Sequence, residues 1–312
     1  MAGVAQHIFW QSFSPIPAVG EYRAYGFFVA LGQVIASGQP VGLMWLRHNP
    51  VTVPPEMAFS AQNPSMLGLV ATIAAFLIII YVEGVRVELP LTYAGYRGFR
   101  SRYPIKLLYV SNLPVIFASA LFANVYFFGQ LFWSMGGAKN GNFWLDLLGQ
   151  FTPVYSDEAK TKLSGYNPSG GLVYYVTAPR SFVNVMEDPM RALGYLGILT
   201  AFCIVFSLTW LEVGGLGPST VAKQLVGSGM QIPGYRRSDK AIESLLKRYI
   251  PAVTILGGIT VAMVAGVSDF FGVFGSGMGI LLSVGIIYQY YEILVKERAA
   301  ETIPAFRRVF GE

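Results

Sequence analysis

The 312 residues are 54% hydrophobic and only 12% charged, whereas an ordinary soluble domain carries about a quarter charged residues. That deficit excludes a soluble globular class before any motif is read. The net charge of +5 is small, so where the charges sit says more than their sum. The single cysteine, Cys203, excludes an intrachain disulfide, and His7 and His48 stand far apart with no ligand cluster beside them. No metal site and no cofactor is expected.

In chain order, Met1 to Trp10 is apolar but falls short of the ~20 residues needed to cross a bilayer core. It has no basic leader region or long apolar run, and Pro15 and Pro17 follow. It therefore reads as a helix stub rather than a signal peptide. Ala24 to Leu46 is also free of charge but is broken by Ser37-Gly38-Gln39-Pro40. Neither half is long enough to span, which predicts an amphipathic or re-entrant piece on the membrane surface. Five runs are long and apolar enough to cross: 66–83, 111–133, 192–211, 250–268 and 275–292. Lipid offers no hydrogen-bond partners, so each can satisfy its backbone only as a helix.

Basic residues then fix the orientation. The connection 84–110 carries Arg86, Arg97, Arg100, Arg102 and Lys106. The connection 212–249 carries Lys223, Arg236, Arg237, Lys240, Lys247 and Arg248, and the tail 293–312 adds Lys296, Arg298, Arg307 and Arg308. Together these hold 15 of the 22 lysines and arginines. Five spans alternate correctly if those three segments are cytoplasmic. Residues 1–65 and 134–191 are then external. The second of these, rich in Gly, Asn, Pro and Tyr, contains no catalytic cluster and reads as a structured loop.

The spans are as informative for what they lack. Glu83, Glu212, Asp269 and Glu292 sit at span ends, and no span has an ionisable residue at its middle. An ion-coupled carrier needs such groups, and hydrolysis inside the membrane needs an acid–base pair. Gly275-Ser-Gly-Met-Gly279 precedes a span and follows no strand, so it suits close helix packing rather than a nucleotide. Composition alone leaves a channel, a scaffold and an assembly subunit open.

The stretch Val82 to Tyr126, with RVELPL, a basic loop and YPIKLLYVSNLPVIFASALFAN, resembles the SecY family in its archaeal and eukaryotic form. Glu212 to Ser219 (EVGGLGPS), Gly227 to Pro251 (GSGMQIPGYRRSDKAIESLLKRYIP) and Gly275 to Glu292 extend the likeness, while the external segments match loosely. The resemblance implies an all-α membrane protein: one half of a ten-helix channel with a pseudo-twofold axis, from the end of helix five through helix ten. Helices one to four have no counterpart here, which predicts a truncated copy or the product of a split gene. The membrane implied is an archaeal-type cell membrane, or that of the endoplasmic reticulum if the source is eukaryotic.

What the resemblance implies for function is passive conduction of unfolded polypeptides, without catalysis by this chain. An aliphatic ring closes such a pore by dewetting. Its members here are Ile116 and Leu282, with Leu281 as the competing register. Asn124 and Ser119 are the polar residues of the seventh helix, at the lateral gate, where a bond to a neighbouring helix competes with a local one. Arg97, Arg100 and Arg102, with Arg236 and Arg237, fall in the ribosome-docking loops, where phosphate contacts compete with a mere orientation signal. The implied partners are single-span γ (SecE-type) and β subunits, the ribosome, nascent chains with signal sequences, lipid, and the N-terminal half of the channel. A secondary transporter of a small solute and a non-conducting assembly fragment are the rival readings.

Overall fold

The computed structural model describes residues 2–17, 23–47, 63–93, 100–110, 112–137, 143–155, 163–231 and 239–302. Two short helices come first, α1 (Ala2–Phe13) and α2 (Phe27–Ala36). With 10 residues, α2 is about 15 Å long and cannot cross a bilayer. Its apolar face, through Phe27, Ala30 and Val34, closes a small core with Met44 and Phe274.

Among the described residues, five helices are long and apolar enough to cross a membrane. These are α3 (Met66–Gly84), α4 (Leu113–Phe132), α8 (Pro189–Val213), α10 (Asp239–Phe270) and α11 (Gly277–Thr302). Their starts are encoded locally. Ser65 Oγ accepts from Gly68 N at 3.1 Å, Pro114 sits in the first turn of α4, and Asp188 Oδ1 accepts from Arg191 N at 3.2 Å ahead of Pro189. Each device satisfies or removes an orphan amide of the first turn. α10 and α11 run well beyond their apolar stretches into the basic segments.

The outer surface of the bundle is apolar. Tyr81 is 75% exposed, Leu193 65% and Leu256 57%, an arrangement that water would penalise and lipid does not. The main core lies where α3, α4, α8, α10 and α11 meet, at Ile79, Val115, Leu199, Val261 and Leu281.

The basic connection after α3 is ordered as a β-hairpin of β1 (Arg86–Tyr93) and β2 (Arg100–Lys106). β1 also pairs with β5 (Met230–Gln231), which follows α9 (Pro218–Gly227) in the second basic connection. The result is a three-stranded sheet in the order β2-β1-β5. The connection 134–191 holds α5 (Phe143–Leu148), a hairpin of β3 (Gln150–Tyr155) and β4 (Leu163–Gly170), α6 (Gly171–Val176) and α7 (Phe182–Glu187). It is pinned to α8 by Arg191, whose guanidinium carbon stands 4.2 Å over the Tyr174 ring and whose Nε donates to Tyr174 O at 3.3 Å. Beside it, the Tyr174 hydroxyl donates to Asp188 Oδ2 at 2.6 Å and holds that carboxyl below its usual range.

Candidate channel face and basic platform

α4 packs on α8, while α11 packs on α3 and α10. Between α4 and α11 a cavity of about 540 Å³ is left, walled by Val115, Ser119, Phe122 and Ala123 of α4, by Tyr195 and Leu199 of α8, and by Met278 of α11. Polar groups gather at one end of it, where Asn167, Arg180, Asp269 and Ser276 line the mouth. Asp269 is there for structure: its Oδ1 accepts from Gly277 N at 2.7 Å and anchors the first turn of α11.

Two side chains tie α4 to α11, Ser119 across the groove and Asn112, the residue just before α4, outside it. Ser119 Oγ lies 2.9 Å from Ile116 O and 2.9 Å from Met278 Sδ, so its one proton can serve the local carbonyl or the facing helix. At the opposite end of α4, Asn112 Nδ2 donates to Leu281 O at 3.1 Å, while its buried Oδ1 has no hydrogen-bond partner. Asn112 was outside the sequence-derived set. Its sequence signal is an amide two residues before Pro114, at the start of an apolar run.

Ile116 and Leu282 are both half-buried, whereas Leu281 is 1% exposed and belongs to the main core. Successive helical residues point about 100° apart, so the burial of Leu281 turns Leu282 away from that core. Asn124 is exposed on α4, and among the described residues no hydrogen bond of its side chain is found. Of the sequence-derived gate pair, the structure brings only Ser119 to α11.

The arginines expected from sequence to dock a partner fall in the basic connections at the other end of the bundle. Arg100 and Arg102 are on β2, opposite Thr92 and Pro90 of β1. Arg97, Arg236 and Arg237 lie outside the described residues. Since β5 joins β1, the two basic connections form one platform, packed on Ile105, Leu211, Val221, Leu225, Ile242 and Leu246. Tyr109 closes its edge by donating from its hydroxyl to Leu216 O at 3.2 Å. Burial pushes that phenol up to about 12, so it stays a neutral donor across the physiological range.

Comparison with known proteins bears on both features. The family model described as SecY matches residues 1–291. The protein translocase subunit SecY of Pyrococcus horikoshii is 39% identical over 318 residues, covering 99% of this chain and 61% of that protein. A solved structure described as that of a protein conducting channel superposes with a TM-score of 0.66 at 33% identity, over 96% of this chain and 58% of the other. Sec61 from a canine ribosome-channel complex of the endoplasmic reticulum gives a TM-score of 0.61 at 32% identity, over 96% and 58%. The chain thus spans about three-fifths of the length of the relatives it matches. The matched stretch takes in four of the five spans whole and α11 as far as residue 291, and the chain belongs to the SecY family.

Proposed function

We propose that this chain is the C-terminal half of the central subunit of a Sec translocon, and that it forms one wall of a passive channel. The channel passes unfolded polypeptides with signal sequences across or into the membrane. The observation that carries this reading is the groove between α4 and α11, apolar in its middle and spanned at Ser119 by a single weak bridge. Ile116 and Leu282 supply this half's share of the constriction. Ser119, with Asn124 further along α4, belongs to the lateral gate. The γ and β subunits, the ribosome and nascent chains are the partners, lipid surrounds the bundle, and the N-terminal half of the channel completes the pore. This chain performs no bond chemistry.

Segments 84–110, 212–249 and 293–312 are assigned to the cytoplasmic side and 1–65 and 134–191 to the outside. Cysteines placed at Ser101 and Ser238 should then react only with reagents on the cytoplasmic side, and one at Ser169, which is exposed, only from outside. Labelling of Ser101 from outside would invert the assignment.

The platform docks the ribosome through RNA phosphates contacted by Arg97, Arg100, Arg102, Arg236 and Arg237. Reversing charge at Arg100 and Arg236 together should weaken ribosome binding about tenfold or more at low salt, with a shrinking deficit as salt rises. Membrane insertion should be unchanged. Co-sedimentation of ribosomes with vesicles across a salt series reads both. Full binding by the double variant at low salt would reduce these arginines to orientation signals.

A further inference from the structure

The connection 134–191 is seated closely on the end of α4. α5 packs on α4, on the turn Trp133–Gly137 that follows it, on α6 and on β3. Val173 of α6 is fully buried, and a Cβ on Gly129 of α4 or on Gly149 would lie 2.5 or 2.9 Å from its Cγ2. Trp133 packs its ring on Phe151 at 5.8 Å and on Tyr166 at 5.3 Å, and the Tyr126 hydroxyl donates to Tyr166 O at 3.0 Å. This seat fixes which way α5 faces.

The other side of α5 is bare. Phe143, Trp144 and Leu147 are 70%, 78% and 55% exposed, and helical spacing puts the three on one face. The two aromatic rings, edge to face at 5.8 Å, leave roughly 300 Å² of side chain uncovered between them, a patch of the size that marks a contact site. The bare surface continues onto the span beside it. Phe128, Leu131 and Phe132 are exposed on α4, and Met135 in the turn after it. By helical angle this stripe lies opposite Ser119, Phe122 and Tyr126, which line the groove. α5 carries no basic residue, and its one carboxylate, Asp146, is half-buried at the rim of the bare face.

We propose that α5 is an interfacial anchor, holding the end of α4 at the bilayer surface with Phe143, Trp144 and Leu147 set against lipid. The 20 residues of α4 make it about 30 Å long, the thickness of a bilayer core. Its last turn, and α5 packed beside it, therefore fall at the level of the headgroups. Phenylalanine and leucine suit the hydrocarbon boundary there, and the indole adds an apolar body with one N–H for the polar layer. A soluble partner seated on α5 would leave the stripe on α4 uncovered, whereas a bilayer covers both. With no basic side chain on α5 the attraction is apolar, so neutral lipid suffices. Only the crossing of α4 is required, and either orientation of the chain serves.

The test uses the assembled channel in vesicles of neutral phosphatidylcholine, with a nitroxide label on one introduced cysteine of this chain. Cys203 is buried and stays unlabelled. The measurement compares collision of the label with oxygen, which concentrates in lipid, and with a water-soluble nickel chelate. Leu147→Cys keeps both aromatic residues, and its oxygen-to-nickel ratio should exceed that of Ser169→Cys, exposed on β4, by about tenfold or more. Replacing Phe143 and Trp144 by serine should bring the ratio at 147 to within about twofold of that at 169. Added salt should leave the ratio at 147 unchanged, since no basic side chain takes part. A ratio at 147 equal to that at 169 in the parent background would put α5 in water and overturn the anchor. Low collision with both reagents would overturn it as well, because a protein surface, from a partner or a second copy, then covers the face. If the double serine variant fails to assemble, the comparison of 147 with 169 decides alone.

Discussion

Replacing Ile116 by serine in the assembled channel is expected to raise its resting ion leak by about tenfold or more. A constriction of aliphatic side chains excludes ions because water will not fill it. Exchanging a half-buried isoleucine for a small hydroxyl removes roughly 2 kcal/mol of preference for the dry state. At about 1.4 kcal/mol per factor of ten, that shift exceeds one decade in the wetted population. Ser119 sharpens the expectation: its hydroxyl already bonds to Ile116 O, so a second hydroxyl at this turn would extend a polar track along α4. The measurement is ion flux through vesicles without translocating substrate. Ile116→Val should leak little more than the parent, since it keeps the surface apolar. Leu281→Ser should act differently, destabilising the bundle because that side chain lies in its core. A serine at 116 with parental leak in a folded channel would remove Ile116 from the constriction.

The two leucines show how far a sequence reaches. Flanking motifs bring the tenth helix of the family onto this chain but leave Leu281 and Leu282 as rival registers, since both are apolar and adjacent. Packing separates them, because only one can enter the core formed with Ile79 and Leu108. The five spans were legible for the opposite reason: backbone satisfaction in lipid leaves a charge-free run one structure to adopt. The hairpin does have a sequence signal: Val87, Leu89 and Leu91 alternate with Arg86, Glu88 and Pro90 in period two, among basic residues that also mark orientation. The ion pairs of Glu292 with Lys106 at 2.6 Å and Arg86 at 3.2 Å are beyond sequence altogether, since these partners lie 186 and 206 residues away. An amide in an apolar run, as at Asn124, suggests a partner on a neighbouring helix, while the contact with α11 is made by Ser119, five residues earlier.

The glycines of the fourth span lead to the second large effect. Gly257 and Gly258 adjoin in α10 and serve different neighbours. A Cβ on Gly258 would lie 2.6 Å from Ser207 Oγ of α8, and one on Gly257 would lie 2.5 Å from Leu107 O, at the base of the hairpin. Leu107 N itself donates to Val85 O at 2.9 Å, which ties this residue to the end of α3, and the atom met is backbone rather than the far end of a flexible side chain. Gly257→Ala would gain up to about 1 kcal/mol in helix propensity, against about 1–3 kcal/mol for overpacking. The second effect wins, and Gly257→Val, bulkier and branched, should lose more. To relieve the contact α10 must retreat from the hairpin, which would also loosen the cores around Ile105 and Val261. Gly197→Ala is the control: it lies in α8 with no atom within 4 Å of its Cβ, so propensity alone acts there and stability should hold or rise. The readout is thermal unfolding of the membrane-extracted protein, together with ribosome binding at low salt. Gly257→Val should melt several degrees below the parent, since about 1 kcal/mol moves a midpoint by some 2–4 °C in a chain of this order. It should also bind ribosomes less well, because the platform rests on that contact. A Gly257→Val variant as stable as Gly197→Ala would mean that α10 and the hairpin base do not touch as closely as their backbones are placed.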